Sequence, residues 1–115
     1  NKKPASDQLF QHIKKYIKEK PEAVRADTGI FQFHITGDKA IYWKLDFNKH
    51  PGQVRKGKAA NPDVTFTIQE NHLMRIAKGS LDIQTAFVQG RLKVKGDMGK
   101  AMFMGKFLSK VPKLT

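Results

Sequence analysis

The chain has no cysteine, so a disulfide framework and a thiolate zinc site are both excluded, and a reducing compartment is permitted. No apolar run approaches the roughly 20 residues of a helical membrane span. Asn1-Lys2-Lys3-Pro4-Ala5 leads into a polar helix rather than the apolar stretch of a signal peptide. Repeats, linkers and low-complexity segments are missing. Acidic residues are scarce, with 10 Asp and Glu against 22 Lys and Arg and a formal charge of +12. That sign attracts anionic partners such as a lipid surface, nucleic acid or an acidic protein. Yet Lys is scattered from Lys2 to Lys113 without a block of five like charges, which fits general solubility and weak steering equally well.

Constellations that carry chemistry are missing too. His12, His34, His50 and His72 share neither an i,i+4 spacing nor a strand, so no metal site is expected. Ser6, Ser80 and Ser109 sit at caps or in the tail, with no nucleophile elbow and no His–carboxylate partners. Gly96 and Gly99 lack the spacing of a dinucleotide or phosphate loop. Neither catalysis nor a cofactor is expected.

What is present is a globular profile: 115 residues, 39% hydrophobic and 28% charged, with 8 Phe. Such a length buries about two-thirds of its unfolded surface around one core, so residues 1–115 are expected to form a single domain. Leu9, Ile13, Tyr16 and Ile17 recur at helical spacing between Ser6 and Lys20, with Ser6 as N-cap, Asp7 in the first turn and Pro21 as the stop. Pro21 to Ala26 adds a helical turn before Thr28-Gly29.

Ile30–Ile35 and Ala40–Phe47 alternate with period two about the turn Thr36–Lys39, which predicts a β-hairpin. Phe31, Phe33 and Ile35 share one face with Ile41, Trp43, Leu45 and Phe47; Tyr42, Lys44 and Asp46 take the other. A weaker strand follows at Gln53–Lys58, then a strictly alternating one at Val64–Ile68. Leu73, Met74, Ile76 and Ala77 mark a short helix ending at Gly79, and Leu81, Ile83, Ala86 and Phe87 another ending near Gly90. Arg91–Lys95 alternates again, Gly96-Asp97 supplies a turn and N-cap, and Met98–Lys110 forms a last helix stopped by Pro112. The order predicts an α+β fold: a five-stranded, mainly antiparallel sheet with helices packed on one face and space for a cavity between the layers.

Three segments carry a family resemblance: Pro62-Asp63-Val64-Thr65-Phe66-Thr67-Ile68, Ala77-Lys78-Gly79-Ser80-Leu81, and the run from Gln84 through Val88-Gln89-Gly90-Arg91 to Gly96-Asp97-Met98. Together with the Phe31–Thr36 and Trp43–Asp46 strands they resemble the sterol carrier protein 2 domain family over about residues 6 to 108. The resemblance implies a non-enzymatic lipid-binding and lipid-transfer domain, with a hydrophobic tunnel under the C-terminal helix for fatty acids, fatty acyl-CoA, sterols or phospholipids. It also implies an intracellular address, peroxisomal or cytoplasmic. The chain ends Val111-Pro112-Lys113-Leu114-Thr115, without the Ser-Lys-Leu kind of tripeptide that many members carry. The start at Asn1 fits a piece of a longer protein, and the family often occurs fused to other domains.

The last helix is richer in apolar residues than one packed face requires: Met98, Ala101, Met102, Phe103, Met104, Phe107 and Leu108. With the family's tunnel in view, these become candidate lipid contacts, and three of the four Met lie among them, flexible enough to fit varied ligands. Phe33, Trp43, Phe66 and Ile68 on the apolar sheet face are candidates for the opposite wall, where core and wall are hard to separate. Arg25 is the candidate for an anionic head, because its guanidinium can fork onto a carboxylate or phosphate; a solvated connector residue fits it as well. Gln89 is a candidate amide donor or a helix-end cap. Arg91, Lys93 and Lys95 either meet acidic headgroups, in transient contact with anionic membranes, or protect a strand edge. The alternative to a lipid carrier is a basic interaction domain that binds an anionic membrane surface or nucleic acid without a buried ligand. Specific nucleic-acid binding is not expected, since the alternation turns Phe and Trp to the apolar sheet face.

Overall fold

The computed structural model describes residues 3–24 and 28–114. Helix α1 (Ala5–Glu19) is followed by a 3-10 turn (Pro21–Val24), then by strands β1 (Ile30–Thr36), β2 (Ile41–Asp46), β3 (Gln53–Lys56) and β4 (Val64–Gln69). Helices α2 (Glu70–Lys78) and α3 (Ile83–Val88), strand β5 (Leu92–Gly96) and helix α4 (Met98–Lys110) complete the order.

The strands form one sheet in the order β3-β2-β1-β4-β5. Three of its four pairings are antiparallel; β1 and β4 run parallel, with Phe33 opposite Phe66 and Ile35 opposite Ile68. The α+β architecture and the mostly antiparallel sheet read from the sequence are both present. Period-two alternation explains why: Phe31, Phe33 and Ile35 of β1, Trp43 and Leu45 of β2, and Val64, Phe66 and Ile68 of β4 are all buried on one face.

Phe10 of α1 joins this face to the helical layer. Its ring stacks on Trp43 at 4.9 Å and meets the edge of Phe33 at 5.3 Å, and Phe33 in turn stacks on Phe66 at 5.0 Å. A second aromatic group, Phe31, Phe47, Phe103 and Phe107, seats α4 against β1 and the end of β2.

Several boundaries differ from expectation. Ser6 is not the N-cap of α1; that position is Pro4, and no side chain caps it. Ser6 lies inside the helix, fully buried, and donates from both its backbone N–H and its hydroxyl to Oε2 of Glu70, at 2.9 and 2.8 Å. A carboxylate 64 residues away in sequence thus takes the hydroxyl that a local cap would have used. β3 stops at Lys56, short of Lys58: Gly57 N–H still donates to the Tyr42 carbonyl at 2.6 Å, but its φ of 126° turns the chain out of the extended strand. Only Pro21–Val24 of the predicted connector turn is described; Arg25 and Ala26 lie outside the described residues.

Candidate functional site

Where β4 begins, Asp63 ties three elements together. Its carboxylate accepts from Ile30 N–H at 2.7 Å, its own N–H donates to Ile30 carbonyl at 2.8 Å, and its carbonyl accepts from Asp97 N–H at 3.0 Å. The corner between β5 and α4 is therefore pinned to the starts of β1 and β4. Asp97 then caps α4 by accepting from Lys100 N–H at 3.0 Å, and Lys100 Nζ donates to the Thr28 carbonyl at 3.0 Å. α4 leaves this corner and packs back over β5 and β4.

α3 is placed from both ends. The Asp82 carboxylate accepts from Gln84 and Thr85 N–H at 3.1 and 3.2 Å, and the helix closes at Gly90, with Arg91 N–H donating to the Ala86 carbonyl at 2.8 Å. Ala86 is fully buried against β5, while Phe87 and Val88 turn outward.

Between α3 and α4 the helical layer leaves an open cleft of about 470 Å³, within the roughly 300–1,000 Å³ typical of small-molecule sites. Its floor is Phe66, Leu92 and Val94 of the sheet. Ile83, Gln84, Phe87 and Val88 of α3 form one wall, and Met98, Ala101, Met102, Gly105, Lys106 and Ser109 of α4 form the other. Four large apolar side chains of the walls remain in water: Phe87 at 49% exposure, Val88 at 82%, Met98 at 52% and Met102 at 65%. Ala101, Gly105 and Ser109 recur every four residues along the α4 wall, so this face of the helix has little side-chain bulk.

The polar groups gather at one end. Leu114 N–H donates to the Ala77 carbonyl at 3.0 Å and the Lys113 side chain abuts Gly79, which brings the C-terminal half of α4 beside the start of α3. Asp82, Lys106 and Ser109 belong to that end, whereas Met98 lies three turns away along α4. Ser109 Oγ donates to the Lys106 carbonyl at 2.7 Å, and Lys106 makes no ion pair among the described residues.

Of the residues singled out in the sequence, the cleft brings together Phe66, Met98, Ala101 and Met102. Phe33, Trp43, Ile68, Met104 and Phe107 are buried in the core behind it, and half-buried Phe103 joins the aromatic group around Phe31. Leu108 faces a separate gap of about 20 Å³ between α1, α2 and the chain end. Gln89 is exposed at the C-cap of α3, and Arg25 lies outside the described residues. Sequence reasoning passed over the whole α3 wall, together with Leu92, Val94, Gly105, Lys106 and Ser109. The small-residue recurrence at 101, 105 and 109 was the available signal. Among the lone histidines, His12 Nε2 lies 2.8 Å from the Pro112 carbonyl and His34 stacks on Tyr42 at 4.5 Å.

A mixed five-stranded sheet, covered on one face by helices that part over an apolar cleft, defines the chain as a small cleft-bearing α+β module. The model of the SCP-2 sterol transfer family matches residues 9–109, and the chain belongs to that family. It is 32% identical over 105 residues to hydroxysteroid dehydrogenase-like protein 2 of Xenopus laevis, a match that covers 90% of this chain and 25% of that protein. The chain thus spans about a quarter of that relative's length. Among solved structures, sterol carrier protein 2 of Yarrowia lipolytica in its apo form superposes with a TM-score of 0.73 at 27% identity, covering 90% of this chain and 88% of the other. Palmitated SCP2L2 of Aedes aegypti superposes with a TM-score of 0.69 at 28% identity, covering 85% and 92%.

Proposed function

We propose that this chain binds a lipid tail in the cleft between α3, α4 and the β4–β5 floor and carries it as a non-catalytic transfer module. The observation that carries this reading is the cleft itself: about 470 Å³ of apolar-walled space with Phe87, Val88, Met98 and Met102 each 49% or more exposed to water. Apolar surface gains about 25 cal/mol per Å² when it leaves water, and each buried methylene contributes about 0.8 kcal/mol. A long acyl chain therefore offsets its own ordering cost without a specific polar contact. Membership of a sterol transfer family and the palmitate carried by a 28% identical structural relative support the same reading.

Fatty acids, fatty acyl-CoA, sterols and phospholipids all fit an apolar cleft with a few polar groups at one end. Phe66, Met98, Ala101 and Met102 touch the tail; Phe33, Trp43, Ile68, Met104 and Phe107 hold the walls from behind, and Phe103 and Leu108 hold α4 in place. Arg25 and Gln89 remain proposed contacts for a polar head. The Xenopus relative's greater length supports a parent protein with further domains, to which this module delivers or presents its ligand.

The test is extraction of the purified protein followed by lipid mass spectrometry, with displacement of a fluorescent fatty acid measured in parallel. Saturable, displaceable binding is expected; the absence of both co-purified lipid and displaceable probe sinks the proposal.

A further inference from the structure

Residues that alternate with the buried ones along the strands turn to the opposite face of the sheet, where they are half-buried or exposed. In register they fall into two rows across the strands. Arg55, Lys44, Gln32, Thr65 and Lys95 form one row, and Tyr42, His34, Thr67 and Lys93 the other. Lys58 joins the second row from the turn after β3, its Nζ over the Tyr42 ring at 4.8 Å. Each row thus has cations at both borders and polar groups between them. Lys44 of β2 and Lys95 of β5 stand three strand spacings apart, about 14 Å. The border at β2 and β3 is held in place: the turn at 57–60 folds back over this face, with Ala59 N–H donating to Gln32 Oε1 at 2.8 Å, and Lys44 Nζ donates to the Lys58 carbonyl at 3.5 Å. Side chains already held lose less freedom on binding. Neither row contains an acid. Asp46 in the next row accepts from Asn48 N–H, and Asp63 at the start of β4 accepts from Ile30 N–H. Among the described residues none of these cations has an ion pair, since the pair of Lys56 with Asp7 lies on the helical side.

We propose that this open sheet face docks an acidic segment of a partner polypeptide. The segment lies across the strands, its carboxylates meeting Arg55, Lys44 and Lys58 at one border and Lys93 and Lys95 at the other. The Thr65 and Thr67 hydroxyls between the borders meet its backbone. A polypeptide fits better than other polyanions on two counts. Tyr42 carries the one benzene ring on this face among the described residues; His34 stacks on it at 4.5 Å and Lys58 Nζ lies over it, so nucleic-acid bases find no free ring to stack on. The exposed large apolar side chains, Phe87, Val88, Met98 and Met102, all line the cleft on the other side of the sheet, which leaves this face nothing to place in hydrocarbon. A partner held here leaves the cleft free to exchange its ligand, so the docking face adds to the lipid-carrier function without depending on it.

The experiment follows fluorescent poly-L-glutamate by anisotropy, with single-stranded oligouridylate and mixed phosphatidylcholine–phosphatidylglycerol vesicles as competitors. The wild-type chain is expected to bind saturably, and more weakly as salt rises. The variant R55Q/K93Q/K95Q is expected to lose on the order of tenfold in affinity, roughly twofold for each exposed ion pair. K14Q/K15Q/K18Q removes the same charge from α1 and should stay within about twofold of the wild type. All six side chains are exposed, so both variants should unfold at the wild-type denaturant midpoint. Fatty-acid affinity should be the same with and without saturating poly-L-glutamate, because none of the open-face cations lines the cleft. Equal losses in the two triple variants mean general attraction to the net charge and would overturn the proposal, as would undiminished binding by R55Q/K93Q/K95Q or competition between poly-L-glutamate and fatty acid. RNA or vesicles that displace poly-L-glutamate, and that lose more affinity than it does in R55Q/K93Q/K95Q, would give the face to another partner and overturn it too. Poly-L-glutamate binding as expected without any fatty-acid binding would sink the carrier reading and leave the docking face standing.

Discussion

Gly96 stands against the carbonyl oxygen of Asp63 so closely that a Cβ at position 96 would overlap it and crowd the Val64 Cα. Its φ of 122° is also one that L side chains rarely adopt. Both demands meet where β5 turns into α4, the corner that sets the floor and one wall of the cleft. Gly96→Ala is therefore expected to cost about 2–3 kcal/mol or more, because either the Asp97 N–H to Asp63 carbonyl bond opens or the β4–β5 pairing shifts. Urea unfolding measures the cost. A loss below about 0.5 kcal/mol, the range of ordinary surface substitutions, contradicts this account of the corner.

Gly105 makes the opposite case. A Cβ there meets nothing within 4 Å, and the residue sits mid-helix on the cleft wall. Gly105→Leu is expected to raise stability by about 0.5–1 kcal/mol, from helix propensity alone. It should also fill part of the cleft and weaken fluorescent fatty-acid binding at least tenfold. Thermal unfolding and probe titration on one sample read both effects; a more stable variant with undiminished binding moves the ligand out of this cleft.

Met102 and Met104 lie two residues apart on α4 and face different surroundings: Met102 is 65% exposed on the cleft wall, Met104 fully buried in the core. Met104→Ala is expected to cost about 2–5 kcal/mol, through lost transfer energy and the void left behind. Met102→Ala should change stability by less than about 0.5 kcal/mol and weaken ligand binding several-fold. Denaturant midpoints and probe affinities for the pair separate wall from core. Equal destabilisation by the two substitutions contradicts this division of the helix.

These contrasts also mark how far the sequence can be read. The β1–β2 hairpin and β4 were legible because alternation with period two is local, and α4 was bounded correctly because Asp97 and Pro112 act on their immediate neighbours. The apolar excess of α4 was legible too, but periodicity does not say which side of a helix meets a packed neighbour and which meets open space. Met98 and Met102 face the cleft while Met104 and Phe107 face the core, a division made by where β5 and α3 lie. The α3 wall was missed because Phe87 reads as an inward-facing helix residue, and only the tertiary placement of Ala86 against β5 turns Phe87 and Val88 outward. Ser6 was misread for a related reason: its partner is too distant in sequence for any local rule.

That partner provides the last prediction. Glu70 opens α2, and its Oε2 accepts both the Ser6 N–H and the Ser6 hydroxyl, joining the first turns of α1 and α2 outside the cleft lining. Hydrogen bonds to a charged group contribute about 1.5–3 kcal/mol each, so Ser6→Ala is expected to cost about 2 kcal/mol by losing the hydroxyl bond inside a fully buried site. Glu70→Gln keeps an acceptor oxygen for both donors and should cost less. Since the two residues share one contact, the double variant should fall short of the sum of the single losses by at least about 0.5 kcal/mol. Denaturant unfolding of the four proteins closes the cycle. Fatty-acid affinity should hold throughout, because neither residue lines the cleft. Additive losses mean that Ser6 and Glu70 act separately, and the link between α1 and α2 then rests on apolar side chains such as Leu9, Leu73, Ile76 and Ala77, which gather around one small gap.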